Sequence, residues 1–112
     1  MPKQHIPLDP IFHALADPTR RAVLARLADG PATVSDLAAP FGMALPSFTQ
    51  HLRVLEDGGL IRSEKQGRSR VCSLQADRLA AAEDWLTAQR SRWSDRFDRL
   101  GRMLNSFEEP ST

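Results

Sequence analysis

Apolar residues recur in short helical bursts along most of the chain, and proline, glycine and aspartate mark where each burst starts and stops. Asp9-Pro10 opens the first, with Ile11, Phe12 and Leu15 apolar, and predicts a helix over residues 9–16 capped by Asp9. Asp17-Pro18 repeats that start, and Val23, Leu24 and Leu27 form a second apolar stripe ending near Asp29-Gly30. Thr33 begins a short third helix, with Asp36 in its first turn and Leu37 and Ala38 turned inward, and Pro40-Phe41-Gly42 breaks it. Pro46 starts the fourth, over residues 46–57, and Gly58-Gly59 stops it. Its apolar residues Leu45, Phe48, Leu52 and Leu55, spaced three and four apart, line one face. The opposite face carries Pro46, Thr49, Gln50 and Arg53, with Ser47 at its edge. That face is polar, forms hydrogen bonds and is positively charged, which suits a major groove of duplex DNA.

The period then changes. Residues 60–64 and 69–74 read as two short strands around Lys65-Gln66-Gly67-Arg68, a β-hairpin with Leu60 or Ile61 and Val71 packed inward. On that reading Cys72 lies on the face opposite Val71, together with Arg70, and is partly exposed. From residue 77 to 107 one long helix is predicted. Leu79, Leu86, Trp93, Leu100 and Phe107 fall seven residues apart, and Ala82, Phe97, Met103 and Leu104 widen the seam. A seam of this kind packs along its length against another helix. A chain this small offers few internal partners, so the seam predicts a dimer interface, with Phe12 of the first helix adding to it. The fold class expected is mainly α with a small β-hairpin.

Composition narrows the picture only slightly. The 112 residues suit a single domain over 9–107, with an N-terminal arm at 1–8 and a flexible tail at 108–112. The formal net charge of +1 does not announce a nucleic-acid binder, so the basic groups count by where they sit. Lys65, Arg68 and Arg70 gather on the hairpin. Residues 1–7 contain no apolar run, and nothing approaches the roughly 20 apolar residues of a membrane span, so a cytoplasmic protein without a membrane partner is expected. The lone Cys72 makes neither an internal disulfide nor a thiolate metal cluster.

The order of elements and several residue strings resemble the ArsR/SmtB family of winged helix-turn-helix repressors. Phe12-His13-Ala14-Leu15-Ala16-Asp17-Pro18-Thr19-Arg20-Arg21 is similar to the family's opening. Gln50-His51-Leu52-Arg53-Val54-Leu55-Glu56-Asp57-Gly58-Gly59-Leu60-Ile61 is similar to its recognition stretch, and Gly67-Arg68 to its wing tip. The resemblance implies a homodimeric, sequence-specific repressor of double-stranded DNA. It makes residues 46–57 the recognition helix, with Ser47, Thr49 and Gln50 on base edges and Arg53, Lys65, Arg68 and Arg70 on phosphates. The apolar Leu45 stands where the family often has a polar residue; it packs on the helix or touches a thymine methyl.

The family's metal-sensing members carry two cysteines in the third helix, where this chain has Thr33 and Ser35, and residues 77–107 hold no histidine for its other metal site. No metal or other cofactor is therefore expected. Arg20 pairs with a carboxylate inside the fold or reaches the DNA backbone. Trp85 and Trp93 pack at the dimer interface or line a pocket for an organic effector, and a small-molecule effector of unknown chemistry remains an open partner. No nucleophile–base pair, phosphate loop or convergent carboxylate pair stands out, which argues against an enzyme. The alternative function is a winged-helix module, an adaptor or anti-repressor, that binds protein and leaves DNA alone.

Overall fold

The computed structural model describes residues 6–108. The elements run α1 (Asp9–Leu15), α2 (Pro18–Leu27), β1 (Ala32–Thr33), α3 (Val34–Ala38), α4 (Leu45–Asp57), β2 (Ile61–Gln66), β3 (Ser69–Leu74) and α5 (Ala76–Glu108). The chain divides into two compact units between Ala82 and Glu83.

In the first unit, helix starts follow the local sequence. Asp17 is extended and its carboxylate accepts the Arg20 backbone N–H at 3.1 Å, with Pro18 opening α2 behind it. Thr33 does the same for α3, its Oγ1 accepting the Asp36 N–H at 3.1 Å. The first helix departs from expectation. Leu8 holds the cap position in a helical conformation, Asp9 already lies inside the first turn, and no side chain caps the end. There Asp9 stabilises through its charge against the helix dipole. Ile6 and Leu8, placed in the expected arm, pack against the core. Residues 1–5 and 109–112 of the expected arm and tail lie outside the described residues.

Helix α4 ends in a Schellman turn. Gly59 adopts a left-handed φ of 74°, its N–H reaches the Glu56 carbonyl at 2.9 Å, and the Leu60 N–H reaches Leu55 at 3.0 Å. Both Leu60 and Ile61 are thereby delivered into the core. Phe48, Ile11, Leu55, Leu60, Val23 and Cys72 are its largest fully buried side chains.

The sheet is three-stranded, in the order β1-β3-β2 and antiparallel throughout. The sequence predicts only the hairpin. β1 has two residues, too short to carry any periodicity, yet pairing Ala32 with Cys72 and Thr33 with Val71 makes β3 the central strand. This corrects the assignment of faces. Ile61, Ser63 and Lys65 share one face with Leu74, Cys72 and Arg70, whereas Val71 sits opposite Glu64 on the other. Cys72 is buried with 0% exposure and Val71 is half-buried, the reverse of the expectation.

The second unit is the remainder of α5. Leu86, Trp93, Leu100 and Phe107 are all at least half exposed, Phe107 reaching 80%, and Phe97, Met103 and Leu104 beside them are more than half exposed. Trp93 and Phe97 rings lie 5.9 Å apart, and the seam of large apolar side chains is continuous at helical spacing. No helix among the described residues is long and apolar enough to cross a membrane.

Candidate nucleic-acid interface

Two helices joined by a short turn, α3 and α4, stand next to the β2–β3 hairpin. The amphipathic pattern of α4 explains its placement: Phe48, Leu52 and Leu55 are buried, and Phe48 stacks on Phe41 of the turn at 5.5 Å. Burying that stripe turns Ser47, Thr49, Gln50 and Arg53 to solvent, and all four are exposed. Leu45 departs from the expected inner row. It opens α4 at an angle matching the apolar stripe, but one turn beyond the last core layer, and is 58% exposed.

The hairpin closes through a two-residue turn, Gly67-Arg68, between the paired Gln66 and Ser69. Gly67 has φ 62° and Arg68 does not have positive φ, the signs of a type II′ turn. Arg68 is thus carried at the tip. Lys65 and Arg70 are direct cross-strand partners, both exposed. Two cations facing each other across a strand pair repel, a cost that a bound anion would relieve.

Arg70 is also held from within. Its Nη1 donates to Ser63 Oγ at 3.0 Å, and that hydroxyl donates to Glu56 Oε1 on α4 at 2.9 Å. This relay ties the hairpin to α4; the sequence gives no sign of it, because Glu56, Ser63 and Arg70 come together only through the strand register. The exposed pair Arg62–Glu64, at 3.3 Å, adds little to stability.

The Arg20 guanidinium departs from the expected carboxylate pairing: Nε donates to the Ala14 carbonyl at 2.8 Å, Nη2 to the His13 carbonyl at 3.0 Å, and Nη1 to His51 Nδ1 at 3.0 Å. A guanidinium only donates, so in this contact His51 Nδ1 is the acceptor. One side chain on α2 therefore joins the end of α1 to the middle of α4. Asp17 completes the cluster, its Oδ2 3.7 Å from His51 Nδ1. The Arg20 backbone N–H, the largest influence, holds the Asp17 carboxyl below its ordinary value against the opposing effect of burial. The neighbouring Arg21 donates to the Leu15 carbonyl at 2.7 Å.

Thr33 serves as the α3 cap. Among the described residues, no three or more His, Cys, Asp or Glu side chains gather as metal ligands. Burial raises the Cys72 thiol above its usual range, with the charge of Glu56 adding to the effect. A buried neutral thiol is a poor nucleophile, which weighs against a redox role. Phe12 and Leu79, assigned to the dimer seam, are both half-buried against the core of their own chain, whereas Leu86, Trp93, Phe97, Leu100 and Leu104 are exposed.

Comparison with known proteins places this geometry in a family. Residues 15–64 match a helix-turn-helix domain. The HTH-type transcriptional regulator Rv2034 of Mycobacterium tuberculosis is 42% identical over 73 residues, covering 65% of this chain and 68% of the relative. The transcriptional repressor SdpR of Bacillus subtilis is 33% identical over 76 residues, 68% of this chain and 84% of the relative. The crystal structure of an ArsR family transcriptional regulator shares 59% identity at a TM-score of 0.74, covering 78% of this chain and 90% of that one. An ArsR-like transcriptional regulator from Rhodococcus sp. RHA1 superimposes with a TM-score of 0.72 at 26% identity, covering 86% and 91%. The helix-turn-helix, the wing and these relatives together establish that the chain belongs to the ArsR family of winged helix-turn-helix, DNA-binding transcriptional regulators.

Proposed function

We propose that the chain represses transcription as a homodimer bound to an imperfect palindrome, acting in the cytoplasm. The observation that carries this reading is the exposed polar row of α4 beside a cationic wing. Ser47, Thr49 and Gln50 read base edges, Gln50 being able to bond adenine through two hydrogen bonds. Arg53, Lys65, Arg68 and Arg70 grip phosphates and supply salt-sensitive affinity. Two copies join along the exposed seam of Leu86, Trp93, Phe97, Leu100 and Leu104, with Leu79 and Phe12 contributing the parts their own core leaves uncovered. Large apolar rows of this extent are rare on monomers. Dimer symmetry sets the recognition helices in successive major grooves about 34 Å apart, hence the palindrome. The sign of regulation is taken from SdpR, a repressor by name.

The test is binding of the purified protein to its own upstream DNA against scrambled DNA across a salt series. Selective binding with a steep salt slope is expected, with a dimer in sedimentation. Gln50→Ala should erase sequence preference, whereas Arg68→Ala should weaken all DNA alike and reduce the salt slope by about one. If both variants bind as the parent does, this docking is wrong.

A further inference from the structure

Between α4 and the inner face of the wing lies an open groove of about 490 Å³. Its floor is apolar: Val34, Leu52, Ile61 and Cys72 line it, the last three belonging to the buried core. Its mouth is cationic, with Arg53 on the α4 side and Arg70 on the wing side, both exposed. The groove holds one acid, Glu56, and its Oε1 is already engaged by the Ser63 hydroxyl. The same hydroxyl accepts one of the five N–H donors of Arg70, which fixes that guanidinium over the floor and leaves it able to bind an anion with its other edge.

We propose that this groove binds a small amphipathic organic anion, a medium-chain carboxylate in chemical class, which competes with DNA for Arg53 and Arg70. The competition rests on the phosphate-contact reading given above; the binding site does not. Three properties select this class. The volume falls within the roughly 300–1,000 Å³ of small-molecule sites, which are mostly apolar with a few placed polar groups. Two arginines against one internally bonded glutamate favour negative charge, and a guanidinium matches a carboxylate with two parallel hydrogen bonds. The floor of leucine, isoleucine, valine and a protonated thiol offers nothing to a fully hydrated ion such as phosphate, but it takes an alkyl chain. The occupant would regulate directly, by covering two cations the DNA backbone needs, with no change of fold.

The experiment titrates the ¹⁵N-labelled full chain, free of DNA, with decanoate, and with decylammonium as the control of opposite charge. Saturable shifts are expected at the amides of Val34, Ile61, Ser63 and Cys72 with decanoate alone. The double variant Arg53→Gln/Arg70→Gln loses the Arg70–Ser63 bond, so its spectrum should differ from the parent's near Ser63 and match it elsewhere, while it binds decanoate about tenfold more weakly. Shifts confined to residues 83–108, an equal response to decylammonium, or no saturable response would each overturn the site. Anisotropy of labelled upstream DNA then tests the coupling, with saturating decanoate expected to weaken binding about tenfold. A filled groove with unchanged DNA affinity would overturn the competition and leave the site standing. Failure to bind DNA without decanoate would count against the repressor reading and not against the groove.

Discussion

Replacing Arg20 by alanine tests how the recognition helix is held. The guanidinium makes three hydrogen bonds, to the Ala14 and His13 carbonyls and to His51 Nδ1, and the bonds to Ala14 and His51 are partly buried. Hydrogen bonds from a charged donor contribute about 1.5–3 kcal/mol each in favourable settings, and removal leaves the carbonyls at the end of α1 without this partner. Solvent access lowers the yield, so Arg20→Ala should cost about 2–3 kcal/mol in all. For a domain of this size that is a fall of about 10–20 °C in melting temperature, measured at fixed protein concentration because any self-association would add to stability. Arg20→Lys supplies one point donor where three directions are needed, and should recover at most about 1 kcal/mol. Thermal melts by circular dichroism, paired with DNA binding below the transition, separate structure from contact. If Arg20→Ala melts within about 2 °C of the parent while DNA affinity drops, Arg20 is a phosphate ligand and the brace described here does not exist.

Gly59 and Gly67 both adopt positive φ, but a Cβ on Gly59 would meet Arg78 Nε at 2.7 Å, whereas one on Gly67 meets nothing within 4 Å. Gly67→Ala and Gly59→Ala should each cost about 1 kcal/mol in urea unfolding for the left-handed backbone, the flexible Arg78 side chain swinging aside; a distinctly larger cost at Gly59 would show that Arg78 is held in place. The Asp17 carboxyl is lowered from 3.8 in the fold, so its stabilisation is complete above that value and lost as pH falls through the folded value. Urea midpoints between about pH 3 and 7 should show an acid decline that Asp17→Asn, which keeps a capping oxygen, flattens. Burial raises the Cys72 thiol, so any contribution is present below the ordinary thiol value and declines as pH rises above it. Native protein should react with a disulfide reagent at pH 8 only as fast as it opens, and Leu55→Ala, which carves the core, should accelerate that reaction; rapid labelling of the native state would contradict the burial.

Residues with strong local chemistry announced their places. Asp17-Pro18 and Thr33-x-x-Asp36 fix two helix starts through hydrogen bonds made within four residues, and the three-and-four spacing of Phe48, Leu52 and Leu55 fixes which side of α4 faces out. Ser47, Thr49, Gln50 and Arg53 follow from that alone. Where partners are distant in sequence, local pattern is silent. A two-residue β1 has no period, and which face of β3 is buried is set by the helices packed on it, so local pattern does not tell Cys72, which joins the core, from Val71. Arg20 has a carboxylate three residues back, Asp17, but its guanidinium bonds elsewhere, to carbonyls at the end of α1 and a ring on α4 that packing alone brings to it. Leu45 fits the stripe by angle and misses it by height, a distinction the helical period does not contain.

The strand order β1-β3-β2 leaves the outer edge of β2 unpaired among the described residues. An open edge of six residues is a template on which another chain can grow a β-ladder. This one is built of Ile61-Arg62-Ser63-Glu64-Lys65-Gln66, in which only the first residue is apolar, and Arg62 and Glu64 form an ion pair in water. A stacking strand would have to dehydrate three charges to gain a few backbone hydrogen bonds. The sheet thus carries a border that discourages fibrous growth, while the exposed apolar seam lies on α5 alone.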